Sequence, residues 1–568
     1  MFESKKTSLF SVRAKPAATA VAKRPGKKSA FVNAGLQNQA ITTSGNSAKK
    51  YSTTGNPFVD QFGKVAAYKE QRKFSDIEKD CEAQWAENPL LTVVFIIYLR
   101  MITRVVQLFN GVSTSISQKG AEMRHEGIMR MIWLSQKAPK TFMKNVGIFV
   151  SVGSWKDIIT MLQYDLVYHG WDNKVLNWNE IGDLIRSGLS QENTSELVKK
   201  YLPQIKANNS CRTAEAQADN MIAKWICSLI YGVKGNEKAN SATYKAYRKM
   251  KSSGTAHQWQ QLISQRKFNM IDFNKIHGRA LNKLVRSKFL KNQNLTDVYA
   301  KWIGKDTTVA KYTGFVHELF VKLGYSLVAI PQHEQDTINK QFETAVNKAK
   351  DVETETKFIV VRDTSGSMAS AATGAKEMSS GNIAKAIALY FSAFLEGAFK
   401  DSWIEFSSDA EMRQWKGNTP LEKWFNDRSS YNGSTNFLDV IHLFTRIKRQ
   451  GVAEKDFPTG IICISDGNFD PALLGRTNVD SARAILRSAG FSEKFCKNFV
   501  ICLWDIPNNY YHGKPKQNFE TFGDVPNVFY MSGYSASVVS FLMTGKASNA
   551  DDLFKEAMNQ EVLNLVEL

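Results

Sequence analysis

Three oxygen-bearing side chains stand at alternate positions directly after a short apolar run. The run FIVV, residues 358–361, precedes Asp363, Ser365 and Ser367. One carboxylate and two hydroxyls at this spacing either form an ordinary polar turn or are directed at a common point. Because functional groups gather at the carboxyl ends of parallel strands, the second arrangement is expected if the run is such a strand.

Two further oxygen-bearing residues fit the same plan. Asp466 directly follows a second apolar run, in the segment CISDGN, and Thr435 lies between the two runs in a Gly-containing loop before a helix. A set of two carboxylates and three hydroxyls, without thiolate or imidazole, selects hard cations such as Mg²⁺, Mn²⁺ or Ca²⁺. Asp363 and Asp466 would balance the charge of one divalent ion.

There are two other interpretations of this cluster, of which the first remains open and the second is disfavoured. The oxygens could merely cap helices and turns, in which case the site has a structural role and holds no functional metal. A nucleophilic serine is disfavoured, because DTSGSM lacks the Gly-x-Ser-x-Gly frame of a nucleophile elbow. His442 and His512 have no spacing that recommends either as its base. We therefore expect no enzymatic activity.

The chain around these residues predicts a sheet covered on both faces. Short β-branched or aromatic runs alternate with segments long enough for helices, such as 381–399 and 436–450. The predicted strands are KFIVVRD (357–363), SWIEFSS (402–408), TGIICISD (459–466), NFVICLWD (498–505) and NVFYMSG (527–533). The sequence thus predicts a doubly wound α/β domain with a mostly parallel sheet over residues 351–545, then a C-terminal helix or tail, 546–568.

Residues 58–350 have helical spacing instead. Apolar residues recur at three and four positions, which predicts an all-α array of degenerate, HEAT-like helical hairpins. The apolar stretch 89–109 is too short to span a membrane, and Asn88-Pro89 is typical of a helix start. We expect Arg100 and Arg104 to share one face of that helix, and we expect no membrane partner.

The bulk composition favours polyanionic partners. The 568 residues carry a formal net charge of +20, which favours nucleic acid first and an anionic membrane surface second. Residues 1–50 hold ten Lys or Arg and one acidic residue, Glu3, so residues 1–57 are predicted to be a disordered basic arm. This arm either only solubilises the protein or wraps a phosphate backbone. The six cysteines are scattered without metal-binding spacing, which is typical of reduced thiols and a cytoplasmic location.

A cationic stripe is predicted within residues 241–311, which hold fifteen Lys or Arg against three Asp. The stripe consists of Lys275, Arg279, Lys283 and Arg286, whose spacings of four, four and three place them on one face of a helix. Such a stripe is better suited to phosphates than to mere solubility. The predicted nucleic-acid contacts are Arg266, Lys267, Lys275, Arg279, Lys283, Arg286 and Lys288. Nearby aromatic residues either stack on unpaired bases or form helix-packing core; these are Trp259, Phe268, Phe273, Tyr299 and Trp302.

Three motifs in the same order resemble a known domain. Asp-x-Ser-Gly-Ser, Gly-Ser-Thr-Asn and Ser-Asp-Gly resemble the metal-ion-dependent adhesion site of the von Willebrand A domain. The family ligands would correspond to Asp363, Ser365, Ser367, Thr435 and Asp466. Arg362 departs from the family, in which an apolar residue is commoner at this position.

Helical repeats followed by such a domain resemble the TROVE family, typified by the Ro autoantigen. The segments GSWKDIITML, MIAKWICSLIYG, FNKIHGRALNKL, FSSDAEM, LWDIPNN and MSGYSASVVSFLM are similar to an uncharacterised branch in bacteria, phages and plants. The resemblance implies a ring or horseshoe of helices joined to the sheet domain, and binding of small structured or single-stranded RNA. A protein-interaction or assembly component, virion-associated if phage-encoded, is the alternative. Its metal site would hold a partner's carboxylate while its arm contacts nucleic acid.

Overall fold

A computed structural model describes most of the chain from residue 41 onward. The described residues are 41–43, 49–51, 56–65, 72–102, 104–107, 115–118, 120–207, 210–232, 241–253, 258–305, 312, 314–349, 357–372, 375–393, 395, 399–472, 477–506, 526–534, 547 and 549–568. Residues 1–40 of the predicted basic arm, and the motif residues 507–509 and 535–543, lie outside them.

The described residues divide into two compact units. The first contains residues 72–264 and 558–568, and the second contains residues 41–65 and 265–557. Strands β1 (Ile41–Thr43) and β2 (Lys49–Tyr51) and helix α1 (Pro57–Val65) therefore belong with the sheet. The division differs from the predicted boundary at residue 350, because the helices of residues 265–349 group with the sheet.

The first unit is built mainly from helices. Its elements are α2 (Phe74–Glu87), α3 (Pro89–Arg100), β3 (Arg104–Gln107), β4 (Ser115–Gln118), α4 (Arg124–Lys137), α5 (Pro139–Val152), α6 (Trp155–Tyr168), α7 (Trp178–Ser190), α8 (Glu192–Tyr201), α9 (Ala214–Tyr231), α10 (Ala242–Ser252) and α11 (Gln258–Ser264). The predicted helical character is confirmed, and several helices that follow one another in the chain pack together, such as α3 with α4 and α7 with α8.

Helix α3 begins where Asn88-Pro89 predicts. Oδ1 of Asn88 accepts a hydrogen bond from the backbone N–H of Leu91 at 3.0 Å, which satisfies an otherwise unpaired donor of the first turn. The helix ends at Arg100, and Arg104 begins strand β3. The expectation that these arginines share a helix face is therefore wrong. Arg100 is buried, and its Nε lies 2.6 Å from Asp157.

No helix among the described residues is long and apolar enough to cross a membrane.

The second unit holds the sheet and the remaining helices. After the first unit, its elements in chain order are α12 (Gly278–Val285), α13 (Phe289–Asn292), α14 (Thr296–Ile303), α15 (Gln332–Ala349), β5 (Phe358–Asp363), β6 (Ala371–Ala372), β7 (Ala375–Ser379), α16 (Ser380–Ser392), β8 (Ser402–Phe406), β9 (Ala410–Gln414), α17 (Pro420–Asn426), α18 (Phe437–Arg449), β10 (Gly460–Ser465), α19 (Asn478–Ser488), α20 (Glu493–Asn498), β11 (Val500–Asp505), β12 (Val528–Ser532) and α21 (Ala550–Met558).

The sheet has six strands in the order β12-β11-β10-β5-β8-β9. All pairs are parallel except β8–β9. The five predicted strands are confirmed, and β9 was not predicted. Alternation along β5 sends Ile359 and Val361 to a core shared with α18 and α19, and Val360 and Arg362 to the face covered by α16. The carboxyl ends of β5 and β10, which are neighbours, therefore carry the predicted ligands to one edge.

Helix α1 and the C-terminal segment pack within opposite units. In the sheet unit, Ser532 Oγ of β12 donates to the Gly63 carbonyl of α1, and Phe58 and Phe62 contact Phe554 with ring centroids 6.0 and 5.6 Å apart. In the helical unit, the backbone of Glu567 exchanges two hydrogen bonds with the Asn145 amide, at 2.6 and 3.1 Å. Helix α1 and the C-terminal residue Glu567 thus each make specific contacts within their own unit.

Candidate metal centre and nucleic-acid surface

Asp363 is the last residue of β5 and is fully buried. Its Oδ1 accepts a hydrogen bond from the Ser365 backbone N–H at 2.7 Å, and its Oδ2 accepts one from Ser465 Oγ at 2.5 Å. Burial and the nearby Asp466 carboxylate raise the pKa of Asp363 to about 7, although these hydrogen bonds act in the opposite direction. A second buried negative charge therefore lies close to the first.

The two serines stand on the turn that follows Asp363. Ser367 belongs to a 3₁₀ helix, Gly366–Ala369, and Ser365 is the residue before it. Their Oγ atoms are 3.2 Å apart. The Gly366 N–H donates to the Gly433 carbonyl at 3.4 Å, which brings the loop of Thr435 against the serine turn.

Thr435 is buried on that loop. Its N–H donates to Asp470 Oδ2 at 3.1 Å, and its carbonyl accepts from the Asp470 N–H at 2.9 Å. Gly433 has a φ of +77°, and a Cβ there would lie 2.7 Å from Ser408 Oγ, so the turn requires glycine. Asp470 and the glycine turn together fix the position of Thr435.

Asp466 directly follows β10 and is buried. Its Oδ1 accepts a hydrogen bond from the Asn468 N–H at 3.3 Å. Its neighbour Ser465 holds Asp363, so the ends of β5 and β10 are joined through side chains as well as through the sheet. The structure thus brings the predicted residues together at one edge.

The donor set suits a hard divalent cation. Two buried carboxylates and three hydroxyls provide oxygen alone, and no described cationic side chain forms an ion pair with Asp363. No cluster of three or more His, Cys, Asp or Glu side chains arranged for a metal occurs among the described residues. Cation binding itself stays a prediction.

Ser465, Asp470 and Asp427 support the site and were not predicted. Ser465 precedes Asp466 in Ser-Asp-Gly, and Asp470 follows it by four residues, so local sequence offered a signal for both. Asp427 offered none, because its partner Arg362 is 65 residues away in sequence.

Arg362 lies on the face of the sheet opposite the ligands. It is fully buried, its Nη1 donates to Asp427 Oδ2 at 2.7 Å, and its guanidinium lies 4.1 Å from the Trp403 ring centroid. Lys385 Nζ lies 3.3 Å from the same carboxylate. The departure from the von Willebrand pattern is thus accommodated by a buried ion pair and a cation–π contact.

Two family models match the chain, and both describe domains of unknown function. The model described as "Domain of unknown function (DUF2828)" matches residues 44–279, and "Domain of unknown function (DUF7788)" matches residues 357–565. No curated protein matches the sequence. Among solved structures, the chain is similar to the Deinococcus radiodurans RO (RSR) protein, with 11% identity and a TM-score of 0.46. That alignment covers 89% of this chain and 99% of the other.

The predicted cationic stripe is divided by a break in the helix. Helix α12 spans only Gly278–Val285, and Lys275 ends a separate 3₁₀ turn that Asp272 caps. Arg279 and Lys283 are exposed on α12. Arg279 pairs with Glu318 at 2.6 Å, so part of its charge is offset.

Arg286 is held within the fold. Its Nε lies 3.1 Å from Glu334, its Nη2 donates to the Val321 carbonyl, and its side chain is 16% exposed. By contrast, four of the predicted contacts are exposed and have no carboxylate partner among the described residues. These are Arg266, Lys267, Lys283 and Lys288.

Two of the five aromatic residues of this region form core. Phe273 and Tyr299 are buried with ring centroids 5.0 Å apart, and Trp302 packs on both. Phe268 packs edge-on against Phe289. The packing interpretation is therefore the right one for Phe273 and Tyr299.

Proposed function

We propose that this chain is a non-enzymatic, cytoplasmic RNA-binding protein whose sheet domain holds a divalent cation. The observation that carries the proposal is a set of exposed cations that form no ion pair among the described residues: Arg266, Lys267, Lys283 and Lys288. Phosphates satisfy such charges and release counterions on binding. The net charge of +20 and the motif resemblance to TROVE proteins favour RNA as the polyanion.

The metal would be held by the five oxygen ligands at the carboxyl edge. Asp363 and Asp466 would offset its charge, while Ser365, Ser367 and Thr435 would supply neutral oxygens. When bound, Mg²⁺ or a similar ion offers an open position to an acidic group. Ser465 donates a hydrogen bond to Asp363 and Asp470 pairs with Thr435, which helps to position these two predicted ligands.

Charge reversal tests the RNA-binding surface. We expect Lys267→Glu, Lys283→Glu and Lys288→Glu together to weaken RNA binding and to lower the slope of log affinity against log salt by about 2. The matched control reverses the exposed Lys400, Lys494 and Lys497, which lie before β8 and β11 at the amino edge of the sheet. Equal affinity and salt slope for wild type and the first variant would refute the proposal.

An assembly role is the second candidate, and the buried ligand cluster favours it. A metal with an open position can take a partner protein's carboxylate, as in an adhesion site. An Asp363→Ala protein that keeps RNA binding but loses a protein partner would support this role, including a virion partner if the chain is phage-encoded. If the variant retains both partner binding and divalent-metal affinity, the site is structural.

A further inference from the structure

A loop beside α12 presents an aromatic side chain entirely to solvent. Residues 321–330, here called the Tyr325 loop, connect the 3₁₀ helix Val316–Phe320 to α15. Tyr325 is fully exposed and Val328 is 93% exposed. The next most exposed aromatic among the described residues, Trp171, is 40% exposed. Tyr325 and Val328 thus place two large side chains in solvent on one short loop.

The loop is nevertheless firmly anchored at both ends. The Gln335 amide donates to the carbonyls of Leu327 and Ile330, at 3.2 and 2.8 Å. Leu323 and Ile330 are buried. At the other end, Lys322 forms an exposed ion pair with Glu377. These contacts restrain the backbone that carries Tyr325, which reduces the conformational freedom lost when a ligand binds.

The charges at the base of the loop favour a nucleic acid. Arg286 donates to the Val321 carbonyl and Arg279 pairs with Glu318, so one face of α12 lies along residues 318–321. Lys283 lies between the two arginines on that face and is exposed, with no carboxylate partner among the described residues. A phosphate bound by Lys283 would place an adjoining base near the loop.

We propose that Tyr325 stacks on an unpaired base of RNA held by this surface. The inference rests on the proposed RNA-binding function and specifies its ligand as single-stranded. A duplex hides its base faces within the stack, whereas an unpaired base offers a face to a flat aromatic ring.

Binding by the full-length protein tests this assignment. The probes are an oligouridine of about 12 nucleotides and an RNA duplex of equal length. Tyr325→Ala should weaken oligouridine binding about tenfold and leave duplex binding unchanged, whereas Tyr325→Phe should keep wild-type affinity. Tyr231→Ala, at a 37% exposed tyrosine of the helical unit, is the control. Equal thermal midpoints exclude misfolding as the cause.

The outcomes separate this inference from the proposed function. If Tyr325→Ala binds oligouridine like wild type while the lysine reversals weaken binding, the stacking assignment is overturned and RNA binding stands. If the lysine reversals also have no effect, both are overturned. Photocrosslinking to 5-bromouridine should modify Tyr325, and crosslinks confined to other residues count against it. A protein partner lost from Tyr325→Ala, with oligouridine affinity unchanged, would reassign the loop to that partner.

Discussion

Nη1 of Arg362 lies 2.7 Å from Oδ2 of Asp427, with both side chains removed from solvent. Arg362 precedes Asp363, a predicted ligand, on β5, and Asp427 begins the segment that leads to Thr435. Asn432 of that segment also donates its N–H to the Thr364 carbonyl at 2.9 Å. The ion pair therefore ties two ligand-bearing segments together from the far face of the sheet.

Breaking this pair should destabilise the protein strongly. Arg362→Met leaves Asp427 buried with Lys385 as its remaining cation, and loss of one partner of a buried pair costs about 3–5 kcal/mol. Urea denaturation measures the free energy of unfolding. Arg487→Met, which breaks the exposed pair with Glu493, should leave the midpoint unchanged. Equal midpoints for both variants would show that the buried pair contributes nothing.

The Asp427 pair should also give stability a defined pH dependence. Burial alone would raise the pKa of Asp427, but Arg362 and Lys385 hold it well below its ordinary value. The stabilisation is therefore complete above the unfolded pKa of about 3.9 and is lost as pH falls further toward the folded pKa. The stability difference between wild type and Asp427→Asn should shrink below about pH 4. A difference that stays constant from pH 7 to 3 would contradict this.

Metal removal should lower stability through Asp363. A ligand that binds only the folded state stabilises it by about 2.7 kcal/mol at 100 times its Kd. Mg²⁺ should therefore raise the melting temperature of the wild type, and a chelator should reverse the rise. Asp363→Asn should show no response, while Glu411→Gln, at an exposed carboxylate of β9, should respond normally. A full response from Asp363→Asn would remove that residue from the ligand set.

Substitution of Arg286 should affect the stability of the fold, whereas substitution of Lys283 should affect RNA binding. Arg286→Met breaks the contacts with Glu334 and the Val321 carbonyl, and we expect a loss of about 1–2 kcal/mol in the free energy of unfolding. Its salt slope for RNA should match wild type. Lys283→Glu should do the reverse, changing the slope by about 1 while the unfolding free energy stays near wild type. Identical behaviour of the two variants would argue against this division.

The sheet could be predicted because its central strands are apolar on both faces. Every residue of Phe358–Asp363 and of Gly460–Ser465 is buried, so continuous apolar runs reveal them. Strand β9 escaped prediction because only Ala410 of Ala410–Gln414 is buried. An exposed edge strand has no hydrophobic pattern for sequence to show.

The position of the candidate site in the fold could be predicted, and its surroundings less so. Parallel strands bring their carboxyl ends together, so Asp363 and Asp466 could be placed at one edge from their positions alone. The predicted stripe from Lys275 to Arg286 required one continuous helix, whereas the helix begins only at Gly278. In addition, Arg286 forms an ion pair with Glu334, a residue distant in sequence, so a charge that spacing alone assigned to RNA already has a partner within the fold.

The placement of α1 has a practical consequence for dissecting the protein. A fragment expressed from residue 265 would contain every strand of the sheet but would lack the helix that packs on β12. An uncovered outer strand invites self-association. Recombinant work on the sheet half should therefore supply residues 41–65, fused or co-expressed, to obtain a well-behaved sample.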